Sequence, residues 1–137
     1  MYTKQISVYI ENSRGQLAEI TKIIATRNID IRALSLADTT SFGILRLIVD
    51  DPIEAQLALS NAGYTVAVTP VIAISIPDTP GALSEVVELL SKNDISIEYM
   101  YAFTARNEGF AMSIIRVDDS SKAIKVLSEA NVSFYNE

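Results

Sequence analysis

Two short stretches place a glycine where chemistry could happen. "ENSRGQL", Glu11 to Leu17, and "PDTPGAL", Pro77 to Leu83, each join an alternating apolar run to a helical pattern. A strand, a glycine turn and a helix in that order leave the first helical N–H groups unpaired at the positive end of the helix dipole, where an anion is welcome. Neither turn reads G-x-G-x-x-G or G-x-x-x-x-G-K-[ST], so the dinucleotide and P-loop patterns are absent. A single carboxylate suits a single glycine better. Gly15 and Gly81 allow close backbone approach, and Asn12 or Asp78 could accept from an ammonium group. The competing reading is plain turn geometry with nothing bound.

Other reactive types are scarce. The 137 residues contain no Cys and no His, which removes thiolate and imidazole metal sites, disulfides and every Ser-His triad. Catalysis would rest on carboxylates, Lys or Tyr, and the sequence favours no enzyme, metal or cofactor. The acidic pairs Asp50/Asp51 and Asp118/Asp119 resemble a metal or acid-base site, but each directly precedes a helical pattern, where Asp is a preferred cap. "EYMYAF", Glu98 to Phe103, is either an aromatic pocket wall or core. Alternation sends Tyr99, Tyr101 and Phe103 to the face of Ile95 and Ile97, and Met100, like Leu34, to the opposite, bare face.

Composition narrows the class further. Hydrophobic residues make up 49% of the chain and the mean hydropathy is +0.25, enough for a packed core. The net charge is −6 and the pI about 4.6, with basic residues scattered, so a nucleic-acid backbone would meet repulsion. Apolar runs such as "PVIAISIP" fall far short of the roughly 20 residues of a membrane span, and the N-terminus has no signal-type block. No membrane partner and a cytoplasmic location are expected.

The elements that position the turns come twice. An offset of 66 pairs Ile6 with Ile72, Gly15 with Gly81, Leu17 with Leu83, Ile29 with Ile95 and Gly43 with Gly109; an offset of 68 then pairs Asp50 and Asp51 with Asp118 and Asp119, and Leu59 with Leu127. In each copy a period-two strand ("ISVYI", "IAISI") leads to a helix, marked by Leu17, Ile20 and Ile24 or by Leu83, Val86, Val87 and Leu90. A Ser-x-x-Gln box at Ser13 to Gln16, and Thr79 with Pro80 at the first helical position, are the expected starts. Asn28 or Asn93 can take the left-handed turn at the stops. Two strands joined by "DTTSFG" or "TARNEG" follow, then a helix opened by Asp51, Pro52 and Glu54 or by "DDSS", then a last strand, "YTVAV" or "VSFY".

That β-α-β-β-α-β order predicts an α+β fold of two ferredoxin-like units, residues 1–69 and 70–137. Each unit, about 65 residues long, has a bare sheet face and open edges that a neighbour could cover. Side-by-side packing with joined antiparallel sheets is therefore expected, with Pro70 in a short linker.

The second turn and its helix, "IPDTPGALSEVVELLSKNDISIEYM", in this element order resemble the ACT domain, a small-molecule-binding regulatory module. Its D-x-P-G-x-L element reads Asp78, Pro80, Gly81 and Leu83. The first half is a looser match, with Asn12 for the Asp, Arg14 for the Pro, and Gly15 and Leu17 kept. The resemblance covers nearly the whole chain and is closest to double-ACT proteins with no catalytic domain attached. It implies a non-catalytic sensor that binds a free amino acid between two ACT-like units. The partners it implies are a second copy of the chain, as a dimer, or a regulated enzyme. One implied site joins Asp78, Thr79, Pro80, Gly81, Ala82 and Leu83 to Leu34, Ser35 and Leu36. The other joins Asn12, Ser13, Arg14, Gly15, Gln16 and Leu17 to Tyr99, Met100 and Tyr101. Arg14 either clamps a carboxylate or is a solvated side chain. The alternative function is a protein-protein interaction or dimerisation module with empty turns.

Overall fold

The computed structural model describes residues 2–11, 13–38, 41–103 and 109–135. The chain divides into two compact units, Lys4–Pro70 and Val71–Glu137, the latter also taking in Met1–Thr3. The first unit contains β1 (Tyr2–Glu11), α1 (Gln16–Thr26), β2 (Ile31–Asp38), β3 (Phe42–Val49), α2 (Pro52–Asn61) and the start of β4 (Thr65–Pro77). The second continues from β4 through α3 (Ala82–Lys92), β5 (Ile97–Ala102), β6 (Phe110–Val117), α4 (Ser120–Glu129) and β7 (Ser133–Phe134). Each is an α+β unit of the expected order. Pro70 lies inside β4 and not in a linker, because its fixed φ suits an extended chain.

Strand order is β2-β3-β1-β4 in the first unit and β7-β4-β6-β5 in the second. The pairings β1–β3, β2–β3, β4–β6, β4–β7 and β5–β6 are antiparallel. One face of each sheet carries the helices. In the first unit Ile6, Val8, Ile10, Leu45 and Leu47 meet Ile20, Ile24, Ala55 and Leu59 there; in the second, Ile72, Ile74, Ile76 and Ile115 meet Val86, Leu90, Ala123 and Leu127. Period-two strands against period-3.6 helices produce this two-layer core.

The helix starts after the glycine turns differ from expectation. Gly15 and Gly81 are themselves the N-caps, both at φ 89°, and no side chain caps either helix. Ser13 and Thr79 therefore close no capping box, and Pro80 stands in the turn before the helix. A left-handed glycine at the cap moves the first helical residue to Gln16 or Ala82, too far from the Ser13 and Thr79 side chains for the usual reach. On α3 the buried residues become Ala82, Val86 and Leu90, while Leu83 and Val87 remain 45% and 37% exposed.

Helix stops follow the repeat. Asn28 takes the left-handed conformation after α1, but after α3 its counterpart Asp94 does so and not Asn93, whose amide donates to the Leu89 carbonyl at 2.8 Å. Gly63 and its counterpart Asn131 do the same after α2 and α4. Gly109 has φ 79°, whereas Gly43 falls within β3, where a Cβ would sit 3.2 Å from Ile10 Cγ1. The loop positions 39–40 and 104–108 lie outside the described residues.

The acidic pairs are structural. Asp51 and Asp119 accept from the N–H groups of Glu54 and Lys122, each at 3.1 Å. Asp50 and Asp118 accept from the N–H groups of Asp30 and Ser96, each at 3.0 Å, tying the entry of β2 or β5 to the end of β3 or β6. Among the described residues no three acidic side chains gather as a metal site, and no helix is long and apolar enough to cross a membrane.

In β5 the expected faces are exchanged. The register shifts between Ile97 and Tyr99, so Met100 pairs with Ile115 and packs with Ile97 on the helix-side core, while Tyr99 and Tyr101 turn to the other face with ring centroids 6.4 Å apart. A bulge adds one residue and inverts every later side chain. Leu34 follows the same rule after the shift in β2: it pairs with the core residue Leu47 and lies on the helix side.

Two predictions follow from these bonds. Asp51→Ala and Asp119→Ala are each expected to lower stability by about 1 kcal/mol in urea unfolding, and Ser13→Ala and Thr79→Ala by less than about 0.5 kcal/mol. Burial, and then the 2.8 Å bond from its hydroxyl to Glu19, raise Tyr64 above its ordinary value of about 10. A raised folded value favours the protonated native state, so this contribution is present below about pH 10 and is lost as pH rises through the folded value. The stability advantage of the wild type over Tyr64→Phe is therefore expected to hold up to about pH 10 and to shrink as pH rises further through the folded value, measured by urea midpoints.

Candidate functional site

At the first turn β1 ends at Glu11 and the Ser13 N–H donates to the Glu11 carbonyl at 2.8 Å, beginning the reversal that Gly15 completes. The Glu19 N–H bonds to the Gly15 carbonyl, so α1 is a regular helix from its first residue, and its leading N–H groups have no side-chain partner. Beside them lies a concavity of about 320 Å³. Ser13, Gly15, Gln16 and Leu17 line it together with Leu36 and Asp38 of the same unit. Of the remaining residues expected at this turn, Arg14 is exposed and does not line the hollow, and Asn12 lies outside the described residues.

The second turn is built the same way and braced differently. The Asp78 N–H donates to the Gly109 carbonyl at 3.0 Å, fastening the turn to the hairpin, and the Ala82 N–H donates to the Thr79 carbonyl at 3.2 Å. A concavity of about 340 Å³ opens beside it. Thr79, Pro80 and Ala82 line it with Ser75, Glu85, Phe110, Asn131 and Ser133; Asp78, Gly81 and Leu83 are outside its lining. A Cβ built on Gly81 or Gly15 meets nothing within 4 Å, so positive φ and not crowding requires glycine at these positions.

Each hollow has the dimensions of a small ligand and is lined by the first residue of a helix together with residues that carry hydroxyl, amide or carboxylate groups. That arrangement can hold a small zwitterion: N–H groups for its carboxylate, acceptors for its ammonium. The bond from the Tyr64 hydroxyl to Glu19 braces the loop after α2 against α1, and Arg27 pairs with Glu54 between α1 and α2.

The second strands present their expected residues in two ways. Leu34 and Leu36 are exposed on the helix side of β2 and Ser35 is half-buried; Tyr99, Met100 and Tyr101 are half-buried in β5. Asp38, Phe110, Asn131 and Ser133 were not anticipated. Phe110 had a signal, since the offset of 68 pairs it with Phe42. The loop residues had none, because nothing local places the end of α4 beside a turn some 50 residues earlier.

Comparison with known proteins completes the assignment. A sequence profile for the ACT domain pair matches residues 1–137. Among solved structures the chain is similar to a protein from Bacteroides thetaiotaomicron, at 41% identity and a TM-score of 0.92, over 98% of this chain and 92% of that one. It shares its fold with the ligand-free regulatory subunit of aspartate kinase from Thermus thermophilus, at 20% identity and a TM-score of 0.67, over 93% and 91% of the two chains. Aspartate kinase from Synechocystis matches at 20% identity and a TM-score of 0.62, over 98% of this chain and 26% of that one. No curated protein matches. With two βαββαβ units, a glycine-capped first helix in each and a profile match over residues 1–137, the chain belongs to the family of ACT domain pairs.

Proposed function

We propose that this ACT pair is a non-catalytic sensor of a free amino acid, whose occupancy is read by a regulated enzyme or by its own oligomeric state. The observation that carries this reading is the repeated helix entry: two glycines at φ 89°, no capping side chain, and a hollow of amino-acid size beside each. In this reading the ligand carboxylate lies on the leading N–H groups of α3, and Asp78 attracts its ammonium. The second strand of a neighbouring ACT unit, through Leu34, Ser35 and Leu36, closes the site. The first turn is the weaker binder, with Tyr99, Met100 and Tyr101 in the closing role, because Asn12 lacks the charge of Asp78. Regulatory subunits of aspartate kinase share the fold, in keeping with an enzyme as the regulated partner.

A second reading has its own support: Leu34 and Leu36, both exposed on the edge strand β2 of the first unit, suit an interaction or dimerisation module with empty turns. A thermal-shift screen of the twenty amino acids separates the two. A selective ligand at 100 times its Kd adds about 2.7 kcal/mol, a rise in Tm on the order of 10 °C for a chain of this size. No selective shift, with calorimetry in agreement, would leave the interaction reading in possession.

Substitution at the turns tests the location. Gly81→Val adds a branched side chain beside the hollow and strains a left-handed backbone, so it is expected to remove binding at the second turn and lower stability by about 1 kcal/mol or more. Gly15→Val is expected to change calorimetric stoichiometry only if both turns are filled. A Gly81→Val protein that is folded by circular dichroism and binds with wild-type affinity and stoichiometry would rule the second turn out.

A further inference from the structure

One pair of residues differs between the two copies of the repeat in a way that bears on the ligand. In the first unit Tyr64, just after α2, packs against the hydrophobic core, and its hydroxyl donates to Glu19 on α1 at 2.8 Å. The repeat offsets put Val132 and Glu85 at these two places in the second unit. Val132 packs against its own core as Tyr64 does, but its side chain is shorter and carries no donor. Glu85 lines the second-turn hollow of about 340 Å³ together with Val132. Its counterpart Glu19 does not line the corresponding hollow of the first unit, where Tyr64 is part of the wall.

Core residues surround Glu85 in that hollow. Ile76 and Val86, both buried in the second unit's core, belong to the lining, and Ala82 joins them from the first turn of α3. A side chain entering there extends the core and takes apolar area out of water. Tyr64 shows, within the same chain, what such a place accepts: an apolar body against the core and a hydrogen-bond donor to the carboxylate. An ammonium group donates as the phenol does, with charge added. A polar side chain of equal size would give up its water against Ile76 and Val86 and gain little there.

Resting on the amino-acid reading above, we propose that the second hollow takes an amino acid with an uncharged apolar side chain, of the leucine or phenylalanine kind. Its ammonium bonds to Glu85, and its side chain lies on Ile76, Val86 and Val132. The test is calorimetric titration of the full chain with L-leucine and L-phenylalanine. L-Asparagine serves as the polar isostere of leucine and isocaproate as the analogue without an ammonium, and NMR follows the amides of Ala82, Asn131 and Ser133. The apolar amino acids are expected to give saturable shifts at those amides, with asparagine and isocaproate each weaker than leucine by about tenfold or more. Glu85→Gln, at an exposed position, is expected to weaken leucine by about fivefold or more while leaving circular dichroism unchanged. Val132→Tyr carries the first unit's own residue into the second and is expected to remove binding at these amides, its hydroxyl taking the place of the ligand at Glu85. Preference for a polar or charged amino acid overturns the apolar assignment and leaves the amino-acid reading standing, whereas binding of none of the twenty removes both. Isocaproate equal to leucine, wild-type leucine affinity in Glu85→Gln, or leucine shifts confined to Gln16, Leu17 and Ala18 each overturn the proposal as well.

Discussion

A backbone φ of 89° at Gly15 and again at Gly81 is comfortable only without a Cβ, and it sets the geometry of everything around it. Because the left-handed residue is itself the cap, the helix begins one residue later and no upstream hydroxyl reaches its leading N–H groups. Residues of each turn and of the helix start line a hollow beside it. The same constraint fixes the rotation of α3, bringing Ala82 rather than Leu83 down onto the sheet, so that Val86 and Leu90 complete the buried row. The turn therefore decides where the helix begins and which of its residues pack on the sheet.

Around these turns the rest of each unit acts as a frame. The acidic pair before α2 or α4 divides its work: one carboxylate caps the helix and the other takes the N–H at the entry of β2 or β5. Two chain segments some 20 residues apart are thus held by short bonds to one dipeptide. Tyr64 makes a comparable brace in the first unit, from the loop after α2 back to Glu19 on α1. No such bond is possible in the second unit, where Val132 takes the place of Tyr64. Duplication kept the frame and released the linings of the hollows to change.

That divergence bears on function. The same backbone carries Asn12, Arg14 and Gln16 in one copy and Asp78, Pro80 and Ala82 in the other, so the two turns offer different charge, stiffness and hydrogen-bonding capacity to whatever approaches. A pair built this way has no need to bind the same molecule twice, since each hollow presents its own lining to solvent.

Much of this was legible in the residues alone. The 66- and 68-residue offsets, the switch from period two to period 3.6, the aspartates before α2 and α4 and the paired glycine turns are local signals, and each depends on chemistry within a few residues. What tertiary structure decided lay beyond that range. The bulge between Ile97 and Tyr99 inverts the faces of Met100, Tyr99 and Tyr101, because a register is settled by the partner strand and not by the strand itself. Pro70 reads as a break, yet β4 runs through it as one extended strand, because a proline's fixed φ is also an extended-chain φ. The hollows needed the whole unit folded: Phe110, Asn131 and Ser133 come to the Gly81 turn, and Leu36 and Asp38 to the Gly15 turn, through sheet order, which no local pattern encodes.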